Sequence, residues 1–416
     1  MTRIVHLSDL HFTPKKDWKV WAEVARFINE EVRPDAILVT GDVTDNAKTA
    51  EFELAERGLD MLKIQNPQPG VPAYRIIPGN HDRYSILGNR INLPIFGLRS
   101  YKAKAFEGTF GDARHVKPSG VADLVLGQNG TSWRVRVIGL DSNHAKWFAQ
   151  GAIEEPDVVN ASRSARTADT SKCDLVIALV HHHVLSIPDV ERRAMSVKGL
   201  FGAGGLVNVA NVTGMLNSGV LLQHFSKAQV NIVLHGHEHS VHQAVYRNAH
   251  AESGSTVVLA AGSGSGEETG KGWALHRVHF NVLDLKTDRT VELLHASFVD
   301  NQLKLTAGPV LLSAREIRRS RFIRRHPVAD GTIPVCRLKK LVVVGLDRSA
   351  EITETSTEYL VGTLWSMTTG NSSGFVEDAR ITFEFRDSEP TTYETPFFQD
   401  IDNGPDAFAC GVPLPK

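Results

Sequence analysis

Cysteine is scarce in this chain: Cys173, Cys336 and Cys410 are the only three in 416 residues, far apart and with no C-x-x-C pair. That excludes a disulfide framework and a structural zinc knuckle, and it fits a reducing compartment. No apolar run is long enough to span a bilayer, so no membrane partner is expected. Excess charge is missing too, because 46 Lys and Arg stand against 47 Asp and Glu for a formal net charge of −1. No overall field draws the chain to nucleic acid or to an anionic surface. Internal repeats and low-complexity blocks are absent, which excludes a solenoid or a linker-like chain. The first apolar run starts almost at residue 1, and a candidate ligand at position 9 leaves no room for a cleaved leader. The expected location is therefore cytoplasmic.

What is present is the composition of a globular protein, 42% apolar and 22% charged, in a chain long enough for two or three domains. Ile4 to Leu7 is a short apolar run, and Trp18, Trp21, Val24, Ala25, Ile28 and Val32 then recur at helical spacing up to Pro34. Ala36 to Val39 is a second buried-strand run, Phe52 to Leu62 a second helix, and Tyr74 to Ile77 a third strand. Strands follow at Val135–Leu140, Leu175–Val180, Val230–Leu234, Thr256–Ala260, Trp273–Leu285 and Val291–Phe298, with a helix at Val220–Ala228. This alternation predicts an α/β layered fold. Residues 86–130 and 141–170 show no strong period and read as long loop or mixed segments, which in a compact domain are often functional lids. Near residue 305 the texture changes. Arg315, Arg318, Arg319, Arg321, Arg324 and Arg325 crowd together, and turn-rich strand runs follow at Lys340–Leu346, Ala350–Thr357, Tyr359–Met367 and Ala379–Arg386. The expected division is a domain over 1–305 and a mainly β accessory domain over 306–416, with the arginines on a solvated or interdomain face.

Five pieces of the chain carry its chemistry: Asp9-Leu10-His11, Gly41-Asp42, Gly79-Asn80-His81-Asp82, His181-His182-His183 and Gly236-His237-Glu238-His239. Each follows an apolar strand run, and in an α/β sheet ligands gather beyond the carboxyl ends of the strands. The one-residue spacing in Asp9-x-His11 and His237-x-His239 lets both donors of a pair face one side of an extended backbone. Carboxylate, amide oxygen and imidazole without thiolate suit Mn, Fe, Zn or Co better than Ca or Mg. Asp42 is the central carboxylate and the candidate to bridge two ions. A hydroxide held between them could attack phosphorus in line while the ions neutralise the phosphate oxygens. His81 has a role other than ligand: oriented by Asp82, it can assist the departing oxygen. For the third block either His181, directly after the strand, or His182 can be the ligand. Gly262 to Gly266 lacks the Gly-Lys-Ser/Thr of a nucleotide loop and reads as a flexible turn near the site.

In that order, these motifs resemble the calcineurin-like metallophosphoesterase superfamily over roughly residues 3 to 300. The resemblance implies a four-layer α-β-β-α sandwich. It also implies one metal on Asp9, His11, Asp42 and His239, a second on Asp42, Asn80, His181 and His237, and catalytic roles for His81 and Asp82. The wording of Leu7 to Phe12, Gly41 to Asp45 and Ile77 to Asp82 resembles the class III cyclic-nucleotide phosphodiesterases. Asp45 stands where purple acid phosphatases carry a tyrosine ligand. The expected activity is hydrolysis of a small phosphoester with two bound Mn, Fe or Zn ions, favouring a phosphodiester such as a 3′,5′-cyclic nucleotide. A nuclease or a phosphomonoesterase on the same centre is the alternative, nucleic acid being possible but not favoured as a partner. Any protein partner of residues 306–416 is unknown.

Overall fold

The computed structural model describes residues 2–317 apart from 16–17, 68–70, 87–98, 102, 128–131, 145–149, 167–172, 186–213, 248–254, 270–271, 275–277 and 300–301; beyond 317 it describes only separate backbone strands. The chain opens with β1 (Thr2–Leu7), α1 (Trp18–Phe27), β2 (Ala36–Val39), α2 (Thr49–Leu59) and β3 (Tyr74–Ile76). A middle section supplies α3 (Ala103–Arg114), β4 (Val121–Leu126), β5 (Trp133–Gly139), α4 (Glu155–Arg166), β6 (Leu175–Leu179), α5 (Ser218–Ala228), β7 (Ile232–His235), β8 (His242–Tyr246) and β9 (Thr256–Ala260). The chain then returns through β10 (His279–Leu285), β11 (Val291–Val299) and β12 (Gln302–Leu312).

These strands build two six-stranded sheets, one ordered β12-β11-β10-β1-β2-β3 and the other β8-β9-β7-β6-β5-β4. In the first sheet β1, β2 and β3 are parallel, with Leu7 opposite Val39 and Val39 opposite Ile76. In the second, β5, β6, β7 and β9 are parallel, with Leu179 opposite Leu234. Side-chain alternation assigns the layers. Ile4 and Leu38 join Val137, Ile177, Leu234 and Leu283 in a core between the sheets. Their neighbours Val5, Ile37 and Val39 point the other way, to Trp21, Val24, Phe52 and Phe106 of the covering helices. On the far side Val176, Ala178 and Val233 meet Val158, Ala161, Leu221 and Phe225 of α4 and α5. Helices, sheet, sheet and helices make the expected four layers.

The unperiodic stretches 86–130 and 141–170 are of the mixed kind: their described residues hold α3, β4 and α4. The buried face of α4 is Val158, Ala161, Ser162 and Ala165, at helical spacing but built from small residues that give a weak apolar signal. The run Trp273–Leu285 is not one strand, since Gly272–Ala274 pairs with Glu267–Thr269 while β10 pairs with β1. β12 runs across the expected boundary at 305/306 and is hydrogen-bonded along β11. Beyond it, strands between Val335 and Cys410 pair only among themselves among the described residues. Arg318, Arg319, Arg321, Arg324 and Arg325 lie outside the described residues. No helix of the described residues is long and apolar enough to cross a membrane.

Candidate metal centre

Five parallel strands end at one crevice. β1 delivers Asp9 and His11, β2 delivers Asp42, and β3 leads through Ile77-Pro78-Gly79 into the short helical turn Asn80–Arg83. From the second sheet β6 delivers His181, and β7 delivers His237 and His239. The ligand atoms of Asp9, His11 and His239 all lie within 4.8 Å of one another, and so do those of Asp42, His181 and His237. Asn80 Oδ1 joins the second group, 2.9 Å from His181 Nε2 and 3.1 Å from His237 Nδ1. The two groups touch, because the main-chain N–H of His237 donates to the Asp9 carboxylate at 3.0 Å. All seven expected ligands are brought together.

Ten non-glycine residues of the described chain have positive φ, and five of them are Asp9 (55°), His11 (45°), Asp42 (51°), His237 (78°) and His239 (48°). Each left-handed residue costs on the order of 1–3 kcal/mol and persists only where its surroundings hold it. The turns are also tightly stacked. A Cβ at Gly79 would fall on the Asp42 carboxylate and main chain, and one at Gly41 would fall on Gly79 and lie 2.9 Å from His181 Nδ1. Glycine at both places is what lets β2 and β3 deliver Asp42 and Asn80 side by side.

The two histidines left open by the sequence are held differently. His181 is fully buried; its Nδ1–H donates to the carbonyl of Thr40 at 2.7 Å, leaving Nε2 to face Asn80, His237 and, at 3.2 Å, Asp42. An imidazole fixed through one nitrogen by a carbonyl is the usual support of a metal ligand. His182 instead turns its Nδ1 to Ser142 Oγ at 2.8 Å.

The donors fit a pair of cations. His11 Nε2 and His239 Nε2 stand 3.1 Å apart, and His237 Nδ1 stands 3.2 Å from His181 Nε2. Lone pairs this close need a proton or a cation between them. Burial, reinforced by His81 and His239, pushes His11 down to about 3, so its ring is neutral at neutral pH. Burial with His181 likewise holds His237 well below its usual value. Burial opposes ionisation of Asp42, but the imidazoles of His181 and His81 outweigh it and keep the carboxylate charged. Burial also opposes a charge on His181, yet Asp42 and Asp9 push that ring up to about 9. A proton there occupies the place of a cation, so ion uptake is expected to release it.

His81 departs from the sequence expectation in one respect. The hydrogen bond at its Nδ1 runs to the main-chain carbonyl of Asp45 at 2.7 Å, with the Asp45 carboxylate 3.7 Å away. Asp82 does something else. Its carboxylate accepts from the main chain of Gly79, Val43 and Thr44 and from Thr44 Oγ, clamping the loops after β2 and β3 together. Asp45, also 3.7 Å from His11 Nδ1, was legible only as a departure from another branch. The segment Asp141-Ser142-Asn143 after β5 was missed altogether. Asp141 pairs with the buried Arg83 at 2.8 Å, Asn143 donates to the Pro78 carbonyl at 3.3 Å, and Ser142 holds His182. Its only sequence signal is position, at the end of a strand beside β6.

Over 159 residues the chain is 26% identical to a probable glycerophosphodiester phosphodiesterase of Arcobacter nitrofigilis, a match covering 38% of this chain and 45% of that one. The chain thus spans about half the length of the curated relative it matches. Among solved structures it is similar to GAP50, the anchor in the inner membrane complex of Plasmodium, with 13% identity, 77% of this chain and 94% of that chain covered, and a TM-score of 0.44. It is also similar to the purple acid phosphatase PPD1 of yellow lupin, Lupinus luteus, with 12% identity, 73% and 52% covered, and a TM-score of 0.43. The sequence pattern of the calcineurin-like phosphoesterases matches residues 2–241, which is more than half of the chain and contains every one of the clustered donors, so this protein belongs to that family.

Proposed function

We propose that the chain is a metal-dependent phosphoester hydrolase, a phosphodiesterase whose favoured substrate is a small diester such as a 3′,5′-cyclic nucleotide. The observation that carries this reading is the convergence of seven oxygen and imidazole donors, from five strand ends of two sheets, into two touching groups. One ion would sit on Asp9, His11, Asp42 and His239, the other on Asp42, Asn80, His181 and His237, with Mn, Fe or Zn suited to both. Such a pair, when bound, supplies charge neutralisation at phosphate oxygens and an activated water.

The chain's own part is positioning and proton transfer. Because the carbonyl of Asp45 can only accept, His81 Nδ1 carries a proton. The ring is thereby held in one orientation, and as an imidazolium it can give its Nε2 proton to the leaving oxygen. Asp82 acts on this step only through the loops it clamps. The wording of the Gly41–Asp45 and Ile77–Asp82 blocks favours a diester, as does the curated relative's name. We place the end of the hydrolytic unit after Ile317, since β12 belongs to the first sheet and Ile317 to the core between the sheets.

The test is hydrolysis of bis-p-nitrophenyl phosphate, p-nitrophenyl phosphate and 3′,5′-cyclic AMP in the presence of Mn²⁺, by wild type, Asn80→Ala and His81→Ala. The diesters are expected to turn over faster than the monoester. His81→Ala is expected to lower kcat by about 10²–10⁴ while retaining metal, since it is the main-chain N–H of His81 that bonds Asp42. Equal rates in all three proteins would remove the assignment.

A further inference from the structure

The turn Asp9-Leu10-His11 has left-handed backbone at both candidate ligands, and something must hold it. Its N–H side is held from β2, where Asp9 donates to the carbonyl of Gly41 at 3.1 Å and His11 to that of Asp42 at 2.9 Å. Its carbonyl side is held from the loop after β9. Gly264 N–H donates to Ser8 O at 2.9 Å, and Ser265 Oγ donates to Leu10 O at 2.6 Å. Ser263 Oγ lies 3.0 Å from Asp9 O and 2.9 Å from Gly266 O, its one proton shared between the two. Three consecutive carbonyls thus meet three consecutive residues of the second sheet's loop. Ser263 is 1% exposed and Ser265 fully buried, so no water competes for these bonds. Far from being a flexible turn, the Gly262–Gly266 loop is packed under the metal-facing turn, and it lies outside residues 2–241 that define the family match.

We propose that Ser263 and Ser265 are positioning residues for the first metal: their hydroxyls lock Asp9 and His11 in the left-handed geometry that aims both side chains at one ion. This rests on the two-metal reading above. Each serine hydroxyl donates its proton to a main-chain carbonyl of the turn, so its action on the first site runs through the backbone of Asp9 and Leu10. Loss of the hydroxyls frees Asp9 and His11 to relax toward ordinary backbone, and the pair then diverges. In the second group His181 is anchored by the Thr40 carbonyl and Asp42 by the His81 N–H, and these keep their geometry.

The experiment is Mn²⁺ titration by calorimetry, with metal content per chain after dialysis, on wild type, Ser265→Ala and Ser263→Ala/Ser265→Ala. Thermal unfolding is followed both in chelator and in Mn²⁺. Wild type is expected to take up two ions. The double variant is expected to keep one affinity and lose at least tenfold in the other, and its Mn²⁺-induced rise in Tm shrinks more than its Tm in chelator falls. Ser265→Ala, which removes the hydroxyl bonded to Leu10 O and leaves Ser263 in place, moves in the same direction and carries the test if the double variant does not fold. Two unchanged Mn²⁺ affinities, or equal losses of Tm in chelator and in Mn²⁺, overturn the role of the serines while leaving the metal centre standing. A wild type that takes up no Mn²⁺ overturns both.

Discussion

His6 shows how much a single residue near the centre can reveal without touching it. It is fully buried in β1, where Asn281 Nδ2 donates to its Nδ1 and its Nε2–H donates to Thr40 Oγ, whose own carbonyl holds His181. Every proton in this chain of bonds has one place. Burial, opposed only in part by Asp9, pushes the His6 ring down to about 3. An unfolded histidine titrates near 6.5. Below that pH the unfolded chain takes up a proton that the folded chain refuses, so stability falls as pH drops from 6.5 toward 3, by about 1.4 kcal/mol per unit. His115, pushed to about 4 by burial and Arg83, adds a slope of the same sign between 6.5 and 4. Urea unfolding in chelator, repeated from pH 7 to 4.5, is expected to show this loss. His6→Gln is expected to flatten it by about 1.4 kcal/mol per unit, whatever its stability at pH 7. An unchanged slope in the variant would place the sensitivity elsewhere.

At the scale of elements, the helices matter because they set the base on which the ligand turns rest. Gly58 sits inside α2, where alanine ordinarily stabilises by about 0.8–1 kcal/mol. Here a Cβ would land on the Phe12 ring, which stacks on Trp18 and meets Trp21 edge-on at 5.1 Å, while Trp21 Nε1 donates to the carbonyl of Gly58 at 2.9 Å. Overpacking of this kind costs about 1–3 kcal/mol, so it outweighs propensity and the sign reverses. Gly58→Ala is expected to lower the urea midpoint, and Gly219→Ala, with nothing within 4 Å of the new methyl, to leave it unchanged or raise it. Equal shifts would contradict this account of α2. The same contrast explains what could be read from sequence. Trp21, Val24, Ile28 and the runs Ala36–Val39 and Leu175–Val180 are large and apolar, and their period is plain. The five donor blocks were legible because each directly follows such a run. α4 was not, because Ala and Ser fill its buried face, and Asp141, Ser263 and Ser265 were not, because their partners are main-chain carbonyls or a buried arginine distant in sequence. The alternation of Leu124 and Leu126 in β4 was present but short.

For the whole molecule, the order of the chain is the main constraint. The first sheet begins with β1–β3, is left for some 200 residues while the second sheet forms, and is completed only by β10, β11 and β12. β1, which leads into Asp9 and His11, is therefore flanked by β2 and by a strand from the far end of the fold, with Ile4 opposite Leu283. Residues past 305 are part of this closure. Leu311, Leu312 and Ile317, at 7%, 1% and 2% exposure, fill the core between the sheets, and a capping box fixes the last turn, Ser313 N–H and Oγ both donating to Glu316 at 2.8 Å. Burying three such side chains is worth about 1.5–3 kcal/mol each, or roughly 5–9 kcal/mol together, against a net stability on the order of 5–15 kcal/mol for a domain. A chain ending at residue 320 is thus expected to fold, unfold cooperatively and take up Mn²⁺ as the full chain does. A chain ending at residue 305 loses most of β12 as well as these three side chains, and is expected to be unfolded or aggregated at 37 °C. Circular dichroism, size-exclusion chromatography and metal content of the two truncations decide the matter. If the 305-residue chain proves as stable as the 320-residue one, the first sheet does not need β12; if the longer one fails, strands beyond Val335 support the centre.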